Sequence, residues 1–203
     1  VKFLSAILAC LMALALPARA QQDLAPEELV RKVTQDVLDA IRSDKQLAAG
    51  DKQKALKLAE EKVLPHIDFE EATRLAAGRA WAQATPEQRK RLVEEFRRML
   101  VRTYSNAISA YEGQTMQVLP VRMKPGDTEV TVHNRYIRAG GKPLLVDYQM
   151  HRTSQGWKIY DITVEGVSLV LTYRSEFDAI VKQEGIDGLI KRLEEKNTPA
   201  RLA

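Results

Sequence analysis

Residues 157–177 read WKIYDITVEGVSLVLTYRSEF, and this stretch decides how the whole chain is read. It opens with the alternation of a strand, with Trp157, Ile159 and Asp161 on one face and apolar residues also on the other. Glu165-Gly166 is a turn signal. After it the spacing becomes helical, through Val167, Val170, Leu171, Arg174 and Phe177. A strand that turns directly into a helix places the junction of a sheet and a returning helix here. The regions before and after must supply the rest of each.

Working back from the stretch, turn signals sit at Ser154-Gln155-Gly156, at Ala139-Gly140-Gly141-Lys142 and at Lys124-Pro125-Gly126-Asp127. They cut residues 114–165 into four strands, and connections this short require antiparallel neighbours. In the last hairpin a two-residue turn predicts Trp157, Ile159 and Asp161 on the same face as Val146, Tyr148 and Met150. A register slip of one would put Leu145, Tyr160 and Ile162 there instead.

The half before the sheet is helical. Pro26 opens a helix whose stripe is Leu29, Val30, Val33, Val37, Leu38 and Ile41. Gly50-Asp51 begins a second, ended by Pro65. Asp68-Phe69-Glu70-Glu71 is an N-cap with a glutamate three residues on, predicting a helix to about Trp81. Thr85-Pro86-Glu87-Gln88 repeats the logic and starts the longest helix, to about Tyr111, with Leu92, Phe96, Met99, Leu100, Tyr104, Ala107 and Ile108 on its stripe. After the sheet, helices are expected over 167–184 and 187–196, separated by Gly185, with Ser168 near the start of the first. Helices, a four-strand meander and a returning helix make an α+β domain.

Residues 1–20 predict a processing segment. Lys2 is its positive end, Phe3 to Leu16 its apolar core of 14 residues, and Ala18-Arg19-Ala20 its cleavage site. A bilayer span needs about 20 residues. The pattern is bacterial and implies a periplasmic domain over 21–203, with a helical lobe about 24–111, a sheet about 114–165 and C-terminal helices about 167–196. Cleavage removes Cys10, the one cysteine, and with it disulfides, thiolate zinc sites and cysteine nucleophiles. It also leaves 29 bases against 27 acids, a net charge of +2, which is no nucleic-acid-binding excess. The dense bases from Arg89 to Arg102 alternate with Glu87, Glu94 and Glu95 at ion-pairing spacings, as on a solvated helix face.

Catalytic apparatus is sparse. His66, His133 and His151 form no paired metal motif. Gly166-Val167-Ser168 lacks the final glycine of a nucleophile elbow. One enzymatic reading stays open: Asp161, facing a cavity near Tyr148, as general base of an isomerase or hydratase. Against it stands an aspartate satisfied by a tyrosine or by backbone groups.

The same stretch resembles the signature of the MlaC family of periplasmic phospholipid-binding proteins, also called toluene-tolerance proteins. The landmarks are Trp157, the Tyr160-Asp161 pair, Glu165-Gly166-Val167-Ser168, and Tyr173-Arg174 with Phe177. The resemblance runs from about Leu29 to Leu193 and is strongest in 69–111 and 144–193. It implies a nuclear-transport-factor-like cone, a curved antiparallel four-strand sheet wrapped on a long helix, with an added helical N-terminal lobe. It implies a lipid carrier rather than an enzyme, with no cofactor and no metal. The implied partners are glycerophospholipid, an inner-membrane ABC transporter with a periplasmic lipid-channel ring, and an outer-membrane lipoprotein–porin complex. Spacing alone does not separate a filled core from a lined pocket; the resemblance favours a pocket. Its expected lining is Val146, Tyr148, Met150, Trp157 and Ile159 from the sheet, Leu100 and Tyr104 from the long helix, and Val170 and Tyr173 from the returning helix.

Overall fold

Capping chemistry sets where the helical half of the chain is cut. The computed structural model describes residues 24–104, 115–137 and 140–198. Helix α1 (Pro26–Ser43) has proline in its first turn and Glu27 and Glu28 beside it, where they complement the helix dipole. Asp44 then accepts from the Gln46 and Leu47 amides and starts the short α2 (Lys45–Ala48), which the sequence pattern did not suggest. Asp51 does the same for α3 (Lys52–Lys62), and a 3-10 turn over Leu64–His66 follows. Asp68 caps α4 (Phe69–Ala77) by accepting from Glu71.

The expected helix to Trp81 breaks earlier. Gly78 takes φ 56° and ψ −123°, a conformation reserved for glycine, and α5 (Arg79–Gln83) sets off in a new direction. A β-carbon at Gly78 would lie 3.1 Å from the Arg174 guanidinium, which would have to shift by a few tenths of an ångström, so the backbone conformation is the stronger restriction. Thr85 and Gln88 form a reciprocal capping box at the start of α6 (Pro86–Tyr104), with bonds of 3.0 and 3.2 Å. The expected continuation of α6 to Tyr111 lies outside the described residues, as do the processing segment 1–20 and Cys10.

The sheet is an antiparallel meander of β1 (Thr115–Val118), β2 (Glu129–Ile137), β3 (Leu144–Thr153), β4 (Gly156–Val164) and β5 (Val167–Ser168), in that spatial order. The four expected strands are present, and the fifth is new. Val167 and Ser168 do not begin a helix. They pair back onto Val164 and Thr163 through a turn in which Glu165 and Gly166 both adopt positive φ. A 3-10 turn over Leu171–Tyr173 then leads into α7 (Arg174–Asn197). Gly185, at φ 73° and ψ −176°, divides α7 where two helices were expected to part.

Two main cores result. In the first, α4, α6 and α7 enclose Leu92, Phe96, Phe177, Leu189, Ile190 and Leu193, each no more than 1 % exposed. In the second, the apolar face of the sheet packs on α1: Val132, Met150, Trp157 and Ile159 meet Leu29 and Val30. Among the described residues α1 is thus the helix that covers this face, while α6 pairs with α7 and α4. One seam joins the halves. Ile67 makes a parallel bridge with Ile159, the Asp68 amide donates to the Ile159 carbonyl at 2.8 Å, and the Asp68 carboxyl lies 2.9 Å from His151 Nε2.

Candidate functional site

The sheet face that packs on α1 is built by alternation along β2 and β3. Val130, Val132 and Asn134 pair with Met150, Tyr148 and Val146, and all six side chains point to one side. Tyr136 continues that row, and its hydroxyl meets the Tyr148 hydroxyl at 2.9 Å. Burial pushes the Tyr148 hydroxyl well above the usual tyrosine pKa.

The β3–β4 hairpin keeps its two-residue turn, Ser154-Gln155, and opens in the expected register. Trp157 and Ile159 therefore stand beside Met150. The register then shifts by one residue. Met150 pairs with Ile159 but Gln149 pairs with Asp161, which leaves Tyr160 as the extra residue of a bulge. Beyond it Ile162 and Val164 stand opposite Tyr148 and Val146. The expectation that Asp161 faces Tyr148 is overturned, because the bulge sends Asp161 to the opposite face. Of the slipped alternatives, Ile162 joins the apolar face. Leu145 and Tyr160 do not: Leu145 is exposed, and Tyr160 stacks edge-on against His151 at 5.3 Å. The sequence held a signal for this. Apolar residues on β4 fall at 157, 159, 162 and 164, a phase break between the second and the third.

Asp161 is occupied where it lies. Its carboxyl accepts from the Ile162 amide at 2.8 Å, the Val170 amide at 3.1 Å and the Ser168 hydroxyl at 2.5 Å. Ser168 Oγ in turn accepts from the Leu171 amide at 2.8 Å. Glu165 reaches across to accept from the Leu145 amide at 2.6 Å. Tyr173 and Phe177 pack edge-on against Phe96, at 5.4 and 5.2 Å between ring centroids. Asp161, Glu165, Ser168, Tyr173 and Phe177 of the stretch 157–177 thus build the corner where sheet becomes helix.

The nine residues expected to line a pocket fall into two groups. Val146, Tyr148, Met150, Trp157 and Ile159 share the sheet face. Leu100, Val170 and Tyr173 belong to the helical core instead. Tyr104 lies beside Tyr173; partial burial first, and then the neighbouring Tyr173 hydroxyl, raise its pKa to about 12. Sequence reasoning did not single out Asn134, Tyr136 or Val164 as site residues, although β2 alternates as plainly as β3, and it reached Ile162 only through the slipped register. At the end of the sheet near these residues, Ile137, Leu144, Leu145, Val167 and Leu171 are exposed.

Elsewhere the surface offers open dents. One, of about 370 Å³, lies between Pro65, Ile67 and the β3–β4 turn. Another, of about 480 Å³, lies between α5 and α6, where Arg89 stacks over Trp81 at 5.3 Å. His133 pairs with Asp147 and His151 with Asp68, both at 2.9 Å. Among the described residues no group of three or more histidine, cysteine or acidic side chains is placed to hold a metal ion. Among the same residues no helix is long and apolar enough to cross a membrane.

This architecture, an open antiparallel sheet with an apolar face, helices before it and a long returning helix, is shared with a solved protein. A phospholipid-binding protein from Ralstonia solanacearum, solved in complex with a phospholipid, superposes with a TM-score of 0.78 at 35 % identity, covering 86 % of this chain and 97 % of that one. The chain belongs to the MlaC protein family, whose sequence model matches residues 31–195. It is similar to the intermembrane phospholipid transport system binding protein MlaC of Haemophilus influenzae, 20 % identical over 176 residues that cover 85 % of this chain and 82 % of the relative. It is also similar to the toluene tolerance protein ttg2D of Pseudomonas putida, 29 % identical over 105 residues, 52 % of this chain and 48 % of that protein.

Proposed function

We propose that the protein is a periplasmic carrier, cleaved to a single domain over 21–203, which holds the acyl chains of a glycerophospholipid and moves the lipid between two membranes. The observation that supports this most strongly is the phospholipid complex of the Ralstonia solanacearum protein, which shares this chain's fold over nearly its full length. In this reading lipid arrives from, or leaves to, an inner-membrane ABC transporter with a periplasmic lipid-channel ring and an outer-membrane lipoprotein–porin complex.

The barrier is apolar exposure. At about 0.8 kcal/mol per methylene, an acyl chain of about 15 carbons costs roughly 12 kcal/mol in water, and two chains cost about twice that. The protein has only to cover them and to leave the head group wet, since burying a phosphate is costly. The sheet residues Val146, Tyr148, Met150, Trp157 and Ile159 are proposed to touch the chains. Leu100, Tyr104, Val170 and Tyr173 are proposed to do so from the helical side. No reacting group is required, and the one acid considered for catalysis, Asp161, is engaged by three donors at the sheet–helix corner.

Native mass spectrometry of gently purified protein, with organic extraction of the folded chain, tests the reading. Stoichiometric phospholipid is expected, and its absence from protein made in its native host overturns it. Val146→Trp, at a position 7 % exposed on the sheet face, should keep the fold and reduce the bound lipid. Full occupancy in that variant would move the acyl chains off this face.

A further inference from the structure

One end of the sheet carries exposed apolar side chains on both of its faces. Leu144 lies two residues before Val146, and Val167 stands opposite Val164, so both share the face of that valine pair. Leu145 pairs with Arg135, and Ile137 lies two residues beyond Arg135, so both belong to the opposite face. These four side chains are between 39 and 58 % exposed, whereas Val146 beside them is 7 % exposed. Among the described residues only Met123 and Leu171 join them as large apolar side chains in the open. The tip is tied: the Leu145 amide donates to the Glu165 carboxyl at 2.6 Å, and the Glu165 amide donates to the Leu145 carbonyl at 3.0 Å. Exposed apolar side chains gathered in one place mark a surface that meets something.

The charge at this tip has one sign to spare. From Val130 to Val146 the sequence carries Arg135, Arg138 and Lys142 and no acid. Arg135 and Lys142 are exposed. The acids beside them are engaged, Glu165 by the Leu145 amide and Asp147 by His133 at 2.9 Å. The shape narrows the occupant further. A rigid protein surface laid against the tip covers one face and leaves the other wet. Side chains on both faces are covered together by a medium that closes around them. The boundary between head groups and acyl chains is such a medium: it takes up apolar side chains, and an anionic leaflet attracts the bases that flank them.

We propose that this tip docks on the anionic surface of a lipid bilayer, with Ile137, Leu144, Leu145 and Val167 between the head groups and Arg135 and Lys142 among the phosphates. The docking itself stands apart from the carrier reading; only its use rests on that reading. The sheet face proposed to hold acyl chains runs out at the same tip through Val146 and Val164, so a lipid leaving that face would meet the bilayer without crossing water.

Flotation of the processed chain, 21–203, with vesicles provides the test. Vesicles of phosphatidylethanolamine with phosphatidylglycerol should bind it more tightly than vesicles of phosphatidylcholine, and the difference should shrink as salt rises. Arg135→Gln and Lys142→Gln should each weaken binding to the anionic vesicles about fivefold. Leu144→Ser combined with Leu145→Ser should weaken it about tenfold, and since both side chains are exposed the fold is expected to survive. The processed chain has no cysteine, so Ile137→Cys and Leu144→Cys each provide one labelling point, on opposite faces of the tip. A polarity-sensitive dye at either point should shift to the blue when anionic vesicles are added. A dye that responds on one face only overturns the proposal and assigns the tip to a rigid protein partner. Failure of the unaltered chain to float with the anionic vesicles overturns it too, as does a serine double variant that floats as well as the unaltered chain. The phospholipid extracted from each variant, which should not change, judges the carrier reading separately.

Discussion

Asp161 shows how one side chain's role follows from its hydrogen bonds rather than its type. It satisfies the amide of Val170, a residue only 4 % exposed, together with a hydroxyl and a neighbouring amide. Asp161→Ala leaves the buried Val170 amide unpaired and should cost about 1–3 kcal/mol in urea unfolding. Asp161→Asn keeps an acceptor for the two amides and should cost less, with lipid occupancy of the folded protein unchanged in both. Turnover of a small hydroxy or carbonyl substrate that vanishes in the Asn variant would restore the enzymatic reading. His66 gives the chain a dependence on acid. Burial, and then the charges of Lys158 and Lys32, hold its pKa below the ordinary histidine value. The unfolded chain binds its proton at about pH 6.5, before the folded chain does. The stability contributed by neutral His66 is thus complete above that pH and is lost as pH falls through the lower folded value. The urea midpoint of His66→Gln should therefore change less between pH 7.5 and 5.5 than that of the unaltered protein.

At the scale of elements, the capped starts of three helices were more legible in the sequence than the surfaces those helices meet. Asp51, Asp68 and the Thr85–Gln88 pair each sit at a cap that the sequence pattern located. Capping is chemistry among residues three or four apart, so it is written locally. The glycine at 185 was legible for the same reason. What an amphipathic stripe leaves unsaid is the surface it will meet. Nothing in Leu29 and Val30 specifies the sheet, and nothing in Phe96 specifies α7. The β4 bulge is an intermediate case, visible as a phase break and easily read past. It moved Asp161 to the other face and so altered the site more than any helix boundary did. Gly185 separates the part of α7 holding Phe177 from the part holding Leu189, Ile190 and Leu193, and all four are buried in one core. Apart from its own neighbouring chain, nothing lies within 4 Å of where a β-carbon at Gly185 would sit, so Gly185→Ala isolates the backbone term. A cost of about 1–3 kcal/mol is expected from its conformation alone. Thermal unfolding should register that as a drop of about 2–4 °C per kcal/mol for a domain of this size. An unchanged midpoint would mean that α7 can straighten without penalty.

For the molecule as a whole, the carrier reading ties stability to cargo. A ligand that binds only the folded state stabilises it by mass action, by about 2.7 kcal/mol when its concentration is one hundred times Kd. An emptied apolar space that fails to collapse costs on the order of 24 cal/mol per Å³ besides. Delipidated protein should accordingly melt several degrees below the lipid-loaded form, and adding phospholipid should restore the difference. Equal melting temperatures after confirmed lipid removal would count against a ligand held inside the fold. The α+β class and the meander were legible because turn residues punctuate the second half and helical spacing fills the first. The lining of a pocket was not, since the same valines and tyrosines serve a core and a binding site equally well.

The strand order β1-β2-β3-β4-β5 also sets a timetable for the chain's assembly. Each strand pairs with its neighbour in sequence, so the meander closes only short loops and can zip from hairpin to hairpin. The helical core works differently: Gln88 bonds Asp187 and Arg91 bonds Glu194, partners about a hundred positions apart. A chain delivered N-terminus first holds every strand before the last helix has emerged, and α6, with α4 as its earlier neighbour, must wait with the side that α7 covers exposed until α7 arrives. Conservative truncations at the β3–β4 contact, such as Ile159→Val, should slow refolding. Truncations at the α6–α7 contact, such as Leu189→Ala, should mainly hasten unfolding. The protein would then be most prone to aggregate in the interval between finishing its sheet and closing its helices.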